Sequence, residues 1–164
     1  EMLYPNAVPN KAHFWISSLE KEHEVTVITQ NIDCFHQKAG SSYVLELHGN
    51  IHEYYCMKCG KTYSEEVLKK ELPVCSCKGL IRPNVVLYEE PLEEVLNQSI
   101  FALLKADMVI VIGSTLVVNP AASLLSYYSK NHLVIINKDV TSYDRHANLV
   151  FHEDISRVVK ELQK

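Results

Sequence analysis

Met108-Val109-Ile110-Val111-Ile112 runs directly into Gly113-Ser114-Thr115. An unbroken apolar run rich in β-branched residues is the composition of a strand buried on both faces. Two other stretches repeat the pattern. Val25-Thr26-Val27-Ile28-Thr29 leads into Gln30-Asn31-Ile32-Asp33, and Leu133-Val134-Ile135-Ile136 leads into Asn137-Lys138-Asp139. Leu149-Val150-Phe151, Val85-Val86-Leu87-Tyr88 and residues 43–47 read as further short strands. Helical patterns lie between them. One starts after Asn10, a good N-cap, and shows Trp15, Ile16 and Leu19 on one face. Another carries Leu92, Val95, Leu96, Ile100 and Leu103 at three-and-four spacing. Residues 120–130 and Ile155 to Leu162 supply two more. Apolar strands alternating with helices predict an α/β fold, a parallel sheet covered by helices on both faces.

Composition narrows the function classes. A length of 164 residues allows one ordinary domain with a small insertion. A hydrophobic fraction of 47% with 22% charged residues argues against disorder. The longest apolar runs are far too short to span a bilayer, so no membrane partner is expected. A formal net charge of −4 without basic blocks argues against direct nucleic-acid binding. Glycine is scarce: five are present, where average usage predicts about eleven. All five lie at or after Gly40, so the first 39 residues hold no Gly-rich phosphate loop. The first residue is Glu, so a targeting peptide can be neither inferred nor dismissed.

Ligands of open α/β sheets bind outside the carboxyl ends of the strands. Gln30–Asp33, Gly113–Thr115 and Asn137–Asp139 are therefore predicted to line one crevice. Gly113-Ser114-Thr115, shortly before a helix, offers backbone N–H groups and hydroxyls to a phosphate or ribose. Each stretch taken singly is equally well a polar loop at a strand end. Three together point to a ligand.

The cysteines carry a sharper signal. Cys56-Met57-Lys58-Cys59-Gly60 has the knuckle spacing that places two thiolates on one metal. Cys75-Ser76-Cys77 supplies a second close pair, one residue tighter. Four thiolates in two pairs match a closed tetrahedral zinc site, structural because no coordination position is left for substrate. Disulfides and free thiols are the alternatives, but disulfides need an oxidising compartment and normally staple smaller folds. Cys34 is left over and reads as a buried apolar thiol. His36 and His48 both follow strands near the proposed crevice, where a histidine serves as general base near neutral pH. His13, His23, His132, His146 and His152 read as surface or packing residues. Residues 53 to 82 otherwise hold little core material.

Several stretches together resemble one known family. Thr29-Gln30-Asn31-Ile32-Asp33-Cys34-Phe35-His36-Gln37-Lys38-Ala39-Gly40 closely resembles the T-Q-N-I-D-x-L-H-x-x-A-G motif of the sirtuins. Leu47-His48-Gly49-Asn50 resembles their catalytic L-H-G, and the four cysteines resemble their zinc module. Arg82-Pro83-Asn84-Val85-Val86-Leu87-Tyr88-Glu89-Glu90-Pro91-Leu92 is similar to R-P-x-V-V-x-F-G-E-x-L. Gly113-Ser114-Thr115-Leu116-Val117-Val118-Asn119-Pro120 is similar to G-T-S-L-x-V-x-P, and Ile136-Asn137 to the adenosine-side I-N. The matches run in order through nearly the whole chain.

The resemblance implies a Rossmann-like NAD-binding domain over residues 1–52 and 84–164, with a zinc-ribbon module inserted at 53–83. It implies an NAD-dependent protein-lysine deacylase of the cytoplasm acting on acylated proteins or peptides. In that chemistry the acyl oxygen attacks C1′ of the nicotinamide ribose, and the acyl group ends on ADP-ribose. His48 is implied as general base, with Asn31 and Asp33 orienting ribose, water and nicotinamide amide. Gln30, Ile32, Gly113, Ser114 and Thr115 are implied contacts of ribose and phosphates, and Asn137, Lys138 and Asp154 of the adenosine side. Val86, Tyr88 and Val117 are implied contacts of the acyl-lysine peptide, which adds as a strand between two loops. Cys56, Cys59, Cys75 and Cys77 are the implied zinc ligands.

The departures are specific. Phe35 replaces leucine, Ser114-Thr115 reverses the family order, and Glu89 stands where the family has glycine. The family's G-A-G-x-S and G-I-P-x-F-R segments, which hold the NAD pyrophosphate, are absent from these 164 residues. A catalytic core with this motif order is expected to begin several dozen residues earlier. A truncated zinc-binding protein without catalysis, and a sirtuin-type ADP-ribosyltransferase, are the competing readings.

Overall fold

The computed structural model describes residues 6–69, 71–87, 90 and 92–163. The expected contact Tyr88 and the departure Glu89 lie outside the described residues. Along the chain come α1 (Lys11–Leu19), β1 (Val27–Thr29), α2 (Phe35–Lys38), β2 (Val44–Glu46) and β3 (Gly49–Cys56). Then come β4 (Thr62–Tyr63), β5 (Ile81–Val85), α3 (Glu93–Lys105) and β6 (Val109–Ile112). The last elements are α4 (Ala121–Leu124), β7 (Leu133–Ile136), β8 (Leu149–Phe151) and α5 (Ile155–Leu162).

Five of the eight strands among the described residues pair in parallel, as alternation with helices favours, but these five fall into two sheets. β1 pairs with β2, Ile28 opposite Leu45. β6, β7 and β8 form the other, with Val111 opposite Ile135 and Ile135 opposite Val150. Helices cover the strands from two sides. Ala12 and Trp15 of α1 meet Val159 of α5 over Ile110 and Ile112 of β6. Leu103 of α3 and Leu124 of α4 meet Leu47, with Ile28 of β1 and Val109 of β6 against the same cluster. β1 and β6 thus share a helix layer without pairing to each other. This position corrects one expectation. Met108 is exposed and Val109–Ile112 are only half-buried, because β6 lies at a sheet edge with β7 as its single strand neighbour among the described residues.

Local chemistry explains the element ends. Asn10 Oδ1 accepts from the N–H groups of Ala12 (2.9 Å) and His13 (3.3 Å). The His13 ring returns to the Asn10 N–H, closing a reciprocal cap. At the other end of the chain, Asp154 caps α5 by accepting from the Ser156 N–H at 2.9 Å. The helix expected over residues 120–130 is shorter: one α-helical turn and the single 3₁₀ turn Leu125–Tyr127. Ser123 and Ser126 hydroxyls bond the carbonyls of Pro120 and Ser123, local competition that shortens helices. The strand expected at residues 85–88 instead spans Ile81–Val85. Its pairing with β3 ends where Gly49 stands opposite Val85.

β3, β4 and β5 make a separate antiparallel sheet. Between Asn50 and Tyr54, β3 bulges against consecutive Asn84 and Pro83 of β5. Buried Asn50 holds the bulge, its Oδ1 accepting from the His52 (3.1 Å) and Glu53 (2.9 Å) N–H groups. Contrary to the expectation of little core material, this region has a small core of Tyr54, Cys56, Val67, Cys75 and Ile81. Two of its five residues are cysteines.

Candidate functional site

β1 ends at Thr29, and the chain then turns through Gln30–Asp33. The Asn31 N–H donates to Thr29 Oγ1 at 3.1 Å, and Asp33 Oδ1 accepts from the Phe35 N–H at 2.9 Å. Asp33 therefore opens α2 with one carboxylate oxygen. β2 runs beside β1 and delivers His48 to the same end. The Leu47 N–H bonds Thr29 O (2.9 Å), and His48 Nδ1 lies 3.1 Å from the Gln30 carbonyl. A carbonyl only accepts, so Nδ1 carries a proton in this contact, and the neutral tautomer that makes it has its lone pair on Nε2. The Val86 N–H donates to His48 O at 3.0 Å, which brings Val86 beside the histidine. Gln30 Nε2 is buried and without a partner among the described residues. An orphaned buried amide on the residue whose carbonyl meets His48 fits a polar ligand group near this loop.

His36 is different. Its ring packs 4.7 Å from that of His13, and burial pushes both rings below the ordinary histidine range. Half-buried in α2, it packs against α1 through the His13 ring. Cys34 is half-buried and left-handed (φ 57°), with its thiol 3.5 Å from Glu46 Oε1. Burial first, then that carboxylate, push the thiol up to about 12. It is an inert thiol in a polar setting, not an apolar one.

Gly49 follows His48 at φ +68°, and a Cβ there would stand 2.0 Å from the Asn84 carbonyl oxygen. Neither the dihedral nor the contact tolerates a side chain. Gly49→Ala is expected to cost about 2 kcal/mol or more of stability and to displace His48. Thermal melting and turnover measured together check this.

At the end of β6, Gly113 is left-handed (φ +61°), with open space where a side chain would project. Its N–H bonds Ile136 O of β7 at 2.9 Å. Ser114 Oγ accepts from the Leu116 N–H at 3.2 Å, so Ser114 shapes the turn while Thr115 is exposed. Leu116 is buried, and Val117 and Val118 after it stand 75% and 59% exposed. At the end of β7, Asn137 is buried, and Lys138 pairs with Asp154 at 3.0 Å. These three expected adenosine-side residues are thus brought together. The Gln30–His48 group and the Gly113–Asn137 group stand at the ends of two different sheets. Two surface hollows, one of about 290 Å³ beside α5 and one near Glu20 and Tyr43, include neither group.

The four cysteines converge, all four sulfurs lying within 4.8 Å of one another. Cys56 and Cys77 sulfurs are 3.5 Å apart, and those of Cys59 and Cys75 3.7 Å. A zinc–sulfur bond of about 2.3 Å sets tetrahedral sulfurs about 3.8 Å apart, so the cluster fits zinc. The Tyr63 hydroxyl donates to Cys75 Sγ at 3.0 Å and is the main reason that thiol falls to about 5. A thiolate is thus favoured before any metal arrives. Gly79 is required here, since a Cβ would stand 2.6 Å from Cys56 Sγ.

Arg82 ties this module to the site. Its guanidinium grips Glu90 at 2.5 and 3.1 Å and bonds Val85 O at 2.6 Å, while Glu90 also takes the Leu87 N–H at 2.8 Å. The Arg82 bonds, then the Leu87 N–H, hold the Glu90 carboxyl below its usual range. A depressed folded-state value stabilises above the unfolded carboxylate pKa, and the gain is lost as pH falls through the folded one. Glu90→Gln is therefore expected to lower Tm by about 2–4 °C near neutrality and by progressively less in acid. Melting curves from neutral to acidic pH check it.

Sequence searches give a consistent picture. The Sir2 family profile matches residues 1–120. An NAD-dependent protein deacetylase of Clostridium acetobutylicum is 45% identical, over 98% of this chain and 68% of its own length. One from Staphylococcus aureus is 46% identical over the same shares. A Sir2 structure with p53 peptide and NAD+ superposes with TM-score 0.87 at 41% identity, covering 96% of this chain and 70% of that one. Another, with an inhibitor, 2′-O-acetyl-ADP-ribose and deacetylated p53 peptide, gives 0.85 at 43%, over 96% and 72%. The order of its motifs, the placement of its glycines and the agreement of its fold all lead to one conclusion: this chain belongs to the Sir2 family.

Proposed function

We propose that the protein is an NAD-dependent protein-lysine deacylase that releases nicotinamide and O-acyl-ADP-ribose. One observation carries this reading: a His48 imidazole with its Nδ1 proton directed at the Gln30 carbonyl, set between the Gln30–Asp33 loop and Val86. When bound, NAD supplies an electrophilic ribose C1′ and a nicotinamide leaving group. His48 Nε2 accepts a proton from a ribose hydroxyl. Asn31 and Asp33 orient the nicotinamide end, with Gln30 and Ile32 along the ribose. Gly113, Ser114 and Thr115 face phosphates and ribose, and Asn137, Lys138 and Asp154 the adenosine side. Val86, Tyr88 and Val117 hold the acyl-lysine, the exposed Val117 segment offering an edge to an extended peptide.

In this reading residues 1–52 and 84–164 form the nucleotide-binding part, and residues 53–83 the zinc-binding part. Zinc is structural, bound by Cys56, Cys59, Cys75 and Cys77. Thiolates of this kind belong in a reducing compartment, which supports action in the cytoplasm. Among the described residues no helix is long and apolar enough to cross a membrane. Calorimetric titration with NAD tests the reading. Saturable binding is expected, and no heat from a protein that is folded and zinc-loaded would reject it.

A further inference from the structure

His152 follows β8, where composition marks it only as a surface residue. The structure gives it two partners. Nδ1 lies 3.1 Å from the carbonyl of Asn137, and Nε2 lies 3.0 Å from Oδ2 of Asp144. Carbonyl and carboxylate oxygens accept and never donate, so both contacts are hydrogen bonds only when both ring nitrogens carry protons.

The partners are themselves fixed. Asp144 Oδ1 accepts from the Thr141 hydroxyl (2.6 Å) and N–H (3.2 Å), and Thr141 is 6% exposed. Those bonds, the hydroxyl's foremost, hold the Asp144 carboxyl below its usual range and keep it charged. Asn137 is 8% exposed; its N–H bonds Phe151 O (3.1 Å) and its Nδ2 bonds Asp139 O (2.8 Å). The loop from Asn137 to Asp144 is therefore gripped near both ends by one imidazole. Of the other nearby charges, Lys138 pairs with Asp154 and Glu153 with Arg157, while Asp139 is exposed in the loop and its carbonyl takes the Asn137 Nδ2. Arg145 and His146 share the 3₁₀ turn with Asp144, and His146 lies against the Tyr143 ring. Asp144 is thus the anion that faces His152.

We infer that His152 and Asp144 form a clasp that positions Asn137 for the adenosine end of NAD. The inference rests on the reading of Asn137 as an adenosine-side contact. Without the imidazole, the Asp144 end and the Asn137 end of the loop are no longer held to one group. Gln30–Asp33 and His48 stand on other elements, so the loss falls on nucleotide affinity and not on turnover. His152 is a positioning residue.

Calorimetry with ADP-ribose tests this. His152→Gln is expected to bind ADP-ribose about threefold more weakly than wild type. Its KM for NAD rises about threefold with kcat within error of wild type. Wild-type affinity for ADP-ribose in His152→Gln overturns the clasp. Asn137→Ala separates the underlying reading. Weakened ADP-ribose binding there, with His152→Gln unaffected, rejects the clasp alone; normal binding in Asn137→Ala rejects the adenosine assignment and the clasp with it.

Discussion

His48→Ala is expected to lower the deacylation rate by about 10²- to 10⁴-fold, the usual contribution of a positioned general base. The expectation comes from geometry. The Gln30 carbonyl fixes the tautomer, the Val86 N–H fixes the backbone, and Gly49 lets β3 cross close to β5 just after the histidine. The side chain is half-buried, and the Gln30 carbonyl is its one hydrogen-bond partner among the described residues, so its removal leaves the fold in place. Tm is expected to move by only about 2–4 °C. His48→Gln, which can still reach Gln30 O but has no comparable basic nitrogen, is expected to be nearly as inactive. Steady-state turnover of an acetylated peptide, with melting curves alongside, checks both. Deacylation at the wild-type rate in His48→Ala would remove the base from the account.

The second large effect concerns the cysteines. Cys56 and Cys75 are ligands and core residues at once, 1% and 5% exposed within the cluster of Tyr54, Val67 and Ile81. A structural zinc site contributes its binding energy to folding, and loss of the metal takes that energy from the folded module. Cys75→Ser, or extraction of the metal with a strong chelator, is expected to lower Tm by about 10 °C or more. Activity falls with it, because β3 and β5 carry both the zinc core and the segments flanking His48 and Val86. Elemental analysis of protein purified without chelator is expected to give one zinc per chain. Less than half an equivalent would contradict the tetrathiolate assignment.

How much of this was legible beforehand differs from residue to residue. Strand cores such as Leu133–Ile136 and the turn residues after them were readable because burial on both faces leaves a local record in composition. Cys56, Cys59, Cys75 and Cys77 were readable because metal ligands obey short spacings. Sheet membership was not, since hydrogen-bonded edges leave no mark in composition, and one predicted sheet proved to be two. The α4 region was over-extended because serine back-bonding outweighed its apolar spacing. His152 was missed entirely: its partners lie 15 and 8 residues away, a relation no periodicity reports. The orphaned Gln30 amide and the Tyr63–Cys75 bond were invisible for the same reason. Asn31, Asp33 and Val86 stood out by family resemblance, and the structure adds the bonds that place them.

The most direct test of the central claim is a product analysis. The protein is incubated with an acetyl-lysine peptide and NAD, and all products are followed by mass spectrometry. Deacetylated peptide, nicotinamide and O-acetyl-ADP-ribose are expected in equal amounts, with none formed when NAD is omitted. Acetate release without NAD, or a peptide that gains ADP-ribose while keeping its acetyl group, would contradict the account.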